Sequence, residues 1–171
     1  MNVLVREEVP ADRGAIHAVN AAAFDTDAEA RLVDVLRAHA GLTLSLVAEQ
    51  GGEIVGHIAF SPVTVTRADG SVVLGVGLAP MAVVPRLQRA GIGGRLIAEG
   101  LRRLRAAGHR FCVVVGHADY YPRHGFAAAS AHGLRWDRAV PDEVFMVQEL
   151  APGGLDGVSG VVRYRPELDA V

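Results

Sequence analysis

Met81-Ala82-Val83-Val84-Pro85-Arg86-Leu87-Gln88-Arg89-Ala90-Gly91-Ile92-Gly93-Gly94 decides the fold. An apolar strand runs into a glycine-rich loop, and the loop runs directly into a helix. Glycines let a backbone approach a ligand closely, and the first turn of a helix leaves N–H groups without intrahelical partners. With the helix dipole these groups make an anion site that a pyrophosphate fits, and Arg89 and Arg95 can add charge at its rim. A P-loop would end in Gly-Lys-Ser/Thr, which is absent. A dinucleotide fingerprint would place a third glycine where Leu96 stands and would open a βαβ unit rather than follow a meander. The remaining phosphate-binding pattern is Gln/Arg-x-x-Gly-x-Gly/Ala, met by Gln88-Arg89-Ala90-Gly91-Ile92-Gly93.

Downstream, the helix predicted over 91–107 puts Ile97, Leu101 and Leu104 on one face, and Gly108 stops it. Phe111 to Gly116 is an unbroken apolar run, the pattern of a strand buried on both faces. Strand, helix and strand here make a βαβ crossover between parallel strands. A short helix follows over 119–124, and 126–150 reads mostly as strand.

Upstream, a strand over 4–9 precedes a helix opened by Pro10 and capped by Asp12, with Ile16, Val19 and Ala23 on one face. Thr26-x-x-Glu29 is a capping-box pattern for a second helix, which Leu32 and Leu36 make amphipathic and Gly41 ends. Strands over 44–49, 54–66 and 72–84 form an antiparallel meander. Asp69-Gly70 marks one of its turns, and Pro62 marks an edge or a bulge.

The loop and its context resemble the GNAT superfamily of N-acetyltransferases. That family's order is a strand, two helices, an antiparallel meander, this loop and helix, then a parallel strand and a short helix. The chain gives that order from about residue 4 to 150. Tyr121-Pro122-Arg123-His124-Gly125-Phe126 matches the family's Tyr-x-x-x-Gly-Phe. Val55-Gly56-His57-Ile58-Ala59-Phe60-Ser61-Pro62 and Asp119-Tyr120-Tyr121-Pro122 look like its YhbS-like branch. Two residues depart from the pattern: Arg89 stands where the family usually has a glycine, and His124 where an aromatic is common.

The resemblance implies an α/β (α+β) fold: a mixed, mostly antiparallel sheet of six to seven strands flanked by helices, with a βαβ cofactor-binding core. It implies an acetyltransferase domain over 1–150 and a C-terminal extension over 151–171 packed on it. It also implies direct transfer of an acetyl group from acetyl-CoA to a primary amine. Gln88, Arg89, Ala90, Gly91, Ile92, Gly93 and Gly94 would hold the pyrophosphate. Met81, Ala82 and Val83 would pair with the pantetheine arm as an added strand does. A splay of the sheet would admit the cofactor, with Gly77 and Pro80 as the irregular positions. Tyr121 is the expected general acid at the leaving sulfur, or else a core aromatic under the Gly-Phe turn. Glu29 is the expected base, or else simply half of a capping box. His57, His117 and Asp119 are weaker base candidates. The same fold could also serve a non-catalytic acyl-CoA sensor.

The 171 residues fit one domain, and with half of them hydrophobic and 21% charged they supply a core. A formal net charge of −2 argues against a general nucleic-acid binder. No run approaches the ~20 apolar residues of a membrane helix, and no signal-peptide pattern opens the chain. The single cysteine, Cys112, rules out an intrachain disulfide and suits a reducing compartment. The expectation is a cytoplasmic protein with no metal, acetyl-CoA as co-substrate, a small-molecule or protein amine as acceptor, and room for a homodimer. No membrane partner is expected. Cys112 sits in an apolar strand, where a thiol is inert packing rather than a nucleophile.

Overall fold

In the computed structural model, which describes residues 2–171, the chain divides into two compact units. The first takes the chain up to Phe60 with Ala79–Gly100 and Pro166–Val171; the second takes Ser61–Leu78 and Leu101–Arg165.

The first unit opens with β1 (Val3–Glu7), a 3-10 turn at Pro10–Asp12, and helices α1 (Arg13–Ala23) and α2 (Ala28–Ala38). Then follow β2 (Leu44–Gln50), β3 (Glu53–Thr66) and β4 (Val72–Val83). β1 and β3 both run antiparallel to β2, with Arg6 opposite Val47 and Val47 opposite His57. α3 (Ile92–Ala106) begins in this unit. Gly56 of β3 gives room to the side chains of Ile92 and Leu96, and Gly100 of α3 gives room to the Phe60 ring. The opposite face of the sheet meets α1 and α2, where Ile16, Val33 and Val47 form a buried cluster.

Local details differ from the sequence reading at the helix ends. Asp12 accepts the Val9 N–H at 2.8 Å and a paired contact from Arg6, so it closes the turn before α1 instead of capping α1 itself. Thr26 accepts the Ala28 N–H at 3.3 Å, two residues on rather than three, and Asp27 takes the N-cap position of α2, so the predicted capping box does not form. At the end of α2 the left-handed residue is Ala40, with φ of 53°, and Gly41 supplies the N–H that closes on Leu36.

In the second unit, β5 (Phe111–Val115) pairs parallel to β4 over Val76–Leu78. This is the predicted βαβ crossover through α3. β8 (Phe145–Glu149) pairs antiparallel to β5, and the two-residue β6 (Ala127–Ala128) pairs to β8. On the other side β9 (Gly160–Arg163) pairs to β3, and β7 (Leu134–Trp136) pairs parallel to β9. Pro62 is exposed at the point where β3 changes partner from β2, last paired at Phe60, to β9, first paired at Thr64.

Among the described residues the sheet has nine strands, not six to seven. The additions are the short β6, β7 and β9. Residues 126–150, read as mostly strand, are instead two short strands, 3-10 turns and loop before β8. The core of this unit gathers Val63, Val65, Phe111, Val113, Phe145, Val147 and Val162.

Candidate active site

β4 ends at Val83, and a single 3-10 turn, Pro85–Leu87, carries the chain to the start of α3. Val84 N–H donates to the Val55 carbonyl at 2.9 Å, which pins the loop's entry to β3. Gln88 folds back, its side-chain amide donating to the Val83 carbonyl at 3.0 Å. Gly91 takes a φ of +90°, which side-chain-bearing residues rarely adopt, and a Cβ built there meets nothing within 4 Å. Arg89 also lies left-handed, with φ of 63°. It occupies the position where the family's glycine is usual, and its backbone keeps the glycine's conformation at a cost of about 1 kcal/mol.

Among the described residues, the backbone N–H groups from Arg89 to Gly94 donate to no carbonyl; the first N–H taken up is that of Arg95, by the Gly91 carbonyl at 3.2 Å. Six unpaired donors beside an exposed surface, at the positive end of a fifteen-residue helix, form a cradle for a dianionic group. Arg89 and Arg95 are exposed at its edge, while Arg86 is engaged with Glu53 at 3.0 Å. The residues present therefore fit a pyrophosphate. Met81, Ala82 and Val83 lie in the same unit, at the end of the strand that feeds this loop.

Glu29 lies half-buried in the first turn of α2, and its carboxylate makes no hydrogen bond or ion pair among the described residues. It is not held by a cap. Tyr121 belongs to the second unit, in a 3-10 turn over Tyr121–His124 that Gly125 ends with φ of 92°. Its ring rests on Gly116, where a Cβ would come within 2.2 Å of it. Phe126 and Tyr120 meet it edge-on at 5.7 and 5.1 Å. The hydroxyl has no hydrogen-bond partner among the described residues. Burial, with Tyr120 and Cys112 adding to it, pushes the phenol well above its ordinary pKa, so it is protonated at neutral pH.

The other titratable candidates have different surroundings. His57 is wholly buried. Asn20 Nδ2, which also donates to the Ile16 carbonyl, faces His57 Nδ1 at 3.0 Å. That donation leaves the proton on Nε2, which faces Ser45 Oγ at 2.9 Å; Ser45 in turn donates to Glu8, and Arg37 holds Glu8 through two nitrogens. Burial lowers the His57 pKa to about 4. A neutral ring with both nitrogens engaged is a structural group, not a base. His117 and Asp119 are exposed, and it is the His117 carbonyl that is used, accepting the N–H groups of Tyr120 and Tyr121. Cys112 is wholly buried, and desolvation pushes its thiol far up. Among the described residues, no group of three or more His, Cys, Asp and Glu side chains is placed to hold a metal.

A model of the acetyltransferase (GNAT) domain matches residues 6–129. The chain belongs to the GNAT acetyltransferase family. This GNAT acetyltransferase is 39% identical over 168 residues to the uncharacterized N-acetyltransferase YhbS of Escherichia coli, covering 98% of this chain and 99% of the relative. Its fold is similar to the crystal structure of Escherichia coli YhbS in complex with CoA, with a TM-score of 0.93, 38% identity, and 99% and 93% of the two chains covered. A GNAT acetyltransferase from Brucella melitensis in complex with acetyl-CoA gives a TM-score of 0.81 at 39% identity, over 98% and 99% of the chains.

Sequence reasoning missed how Tyr121 is seated. Gly116 was simply the end of an apolar run, yet its missing side chain is what admits the ring. The available signal was a glycine closing a strand five residues before the family's tyrosine.

Proposed function

We propose that this GNAT acetyltransferase moves an acetyl group from acetyl-CoA to a primary amine by direct attack, and that it does so in the cytoplasm. The row of N–H groups from Arg89 to Gly94 carries this reading, since it offers donors for a pyrophosphate and no carbonyl among the described residues consumes them. Complexes of its relatives with CoA and acetyl-CoA support the choice of co-substrate. A single, buried cysteine suits a reducing compartment, and no helix among the described residues is long and apolar enough to cross a membrane.

Gln88 to Gly94 hold the pyrophosphate, and the backbone of Met81 to Val83 pairs with the pantetheine arm. An N–H at Ala82 or Val83 polarises the thioester carbonyl; one such oriented donor contributes about 3 kcal/mol. The amine nitrogen forms a bond to the carbonyl carbon, and the tetrahedral intermediate collapses with cleavage of the carbon–sulfur bond. Tyr121 gives its proton to the departing sulfur. Glu29 takes the proton that the amine nitrogen loses. The Tyr121 hydroxyl and the Glu29 carboxylate, neither with a partner among the described residues, both suit groups that wait for a substrate.

The test is a titration with acetyl-CoA followed by a thiol-release assay across a panel of amines. Binding with CoA release upheld by at least one amine is the expected result. Binding without release by any amine would make the protein a sensor, and no binding at millimolar acetyl-CoA would end the reading.

A further inference from the structure

Tyr164 lies beyond the 6–129 span of the family match, one residue after β9. β9 runs antiparallel to β3 with Arg163 opposite Thr64, which brings Tyr164 beside Val63. Its ring covers β4 at Gly77: a Cβ there would stand 2.5 and 2.7 Å from two ring carbons. Its hydroxyl donates to the Val113 carbonyl of β5 at 3.3 Å. Gly77 and Val113 are in register, so one side chain touches both strands at one rung.

That rung is the middle of only three, Val76–Cys112, Gly77–Val113 and Leu78–Val114, whereas β5 and β8 share five. A three-residue parallel pairing has few hydrogen bonds to fix its spacing. Trp136 packs edge-on against the Tyr164 ring at 6.3 Å and is itself stacked on Phe145 at 6.4 Å, which keeps the ring in place. The residue keeps part of its surface at solvent, but its phenol oxygen is enclosed, and burial with Cys112 and Tyr121 nearby keeps it protonated and able to donate.

We infer that Tyr164 is a positioning residue for acetyl-CoA binding, clamping β4 to β5 at the Gly77–Val113 rung. The inference rests on the proposed function, because β4 continues from Leu78 into Met81–Val83, the segment assigned to the pantetheine arm. With the clamp gone, the strand leading into that segment is less well fixed. Ordering it then falls to the ligand, and affinity drops.

The experiment measures the acetyl-CoA dissociation constant of the full chain for wild type, Tyr164→Phe and Tyr164→Leu, well below all melting temperatures. It also measures the labelling rate of Cys112, the single cysteine, which lies one rung away from Val113. Tyr164→Leu removes the ring and should weaken binding roughly tenfold and speed Cys112 labelling by at least as much. Tyr164→Phe loses one long hydrogen bond and should weaken binding about twofold to threefold. A residue that only supported the core would lower the melting temperature and leave the dissociation constant unchanged. A Tyr164→Leu variant that binds acetyl-CoA like wild type overturns the inference, as does unaltered Cys112 labelling. If that variant does not fold, unchanged binding by Tyr164→Phe overturns it. Failure of the wild type to bind acetyl-CoA removes the proposed function instead, and the positioning role with it.

Discussion

His57 ties folding to pH through a calculable amount. Its ordinary pKa is 6.5, and burial beside Asn20 and Ser45 lowers it to about 4. Between those values the unfolded chain binds a proton that the folded protein refuses. The stabilisation is therefore complete above pH 6.5 and is lost as the pH falls toward 4. The gap, at about 1.36 kcal/mol per pH unit, is worth about 3 kcal/mol, and about 2 kcal/mol of it should vanish between pH ~6.5 and pH ~5. Glu8 and Asp12, both held below the carboxylate range, also lose stabilisation on acidification, but from their ordinary values of 4.5 and 3.8 downward. His124 is lowered as well, so the comparison must be differential. Urea unfolding followed by circular dichroism across this range, for wild type and His57→Gln, isolates the residue. The variant should be less stable at neutral pH by about 1–3 kcal/mol for its broken network, yet lose about 2 kcal/mol less on acidification. Parallel pH profiles for the two proteins would show that His57 titrates normally and that the buried neutral ring is wrong.

Three further outcomes concern the loop and the tyrosine. Gly91→Asp should abolish measurable acetyl-CoA binding, while Gly91→Ala, with the same φ of +90° to bear but no charge, should bind more weakly than wild type yet detectably; equal binding by wild type and Gly91→Asp in calorimetry would make the loop a helix start only. Arg89→Gly relieves a left-handed arginine and should leave stability unchanged or raise it by up to about 1 kcal/mol in urea unfolding; a loss above that amount would mean the arginine side chain holds the loop. Tyr121→Phe keeps the ring on Gly116 and removes a hydroxyl with no partner among the described residues, so the melting temperature should hold while turnover falls about a hundredfold. Unchanged turnover, where chemistry limits the rate, would make Tyr121 a packing residue.

The elements legible in the sequence are those with a local cause. Asp69-Gly70 forms its turn because Gly70 can take φ of +86° and Asp69 accepts the Ser71 N–H and hydroxyl. α3 stops at Ala106 because Gly108, at φ of +89°, lets the next N–H groups close on Arg105 and Leu104. The strand, turn and helix start around Gln88 to Gly94 were legible because the glycine spacing and the flanking apolar runs encode them locally. Residues 127–144 were not legible as short strands and turns. Ala127-Ala128-Ala129-Ser130-Ala131 has neither the β-branched residues of a strand nor an amphipathic period, and its two paired residues are set by β8 from outside. The αL residue that ends α2 was missed for the same reason: Ala40 has no intrinsic preference for φ of 53°, and the closing bond from Gly41 to Leu36 imposes it.

The glycines show most clearly where sequence reasoning stopped. Gly77 and Gly116 were read as a break and an end, because a lone glycine in a strand pattern suggests irregular backbone. In the structure both positions are extended strand or strand end, and each is a seat for an aromatic ring: Tyr164 on Gly77, Tyr121 on Gly116, with Phe111 on Gly75 beside them. A Cβ at any of the three would stand within 2.5 Å of the ring it replaces, so none tolerates even alanine without moving an aromatic. The rings come from a strand, a 3-10 turn and the C-terminal tail, and only tertiary folding pairs them with their glycines. Composition supplied both partners, but no local rule joins them. Two of the three rings carry phenols that burial keeps protonated, so Gly77 in β4 and Gly116 just after β5 decide where both hydroxyls stand.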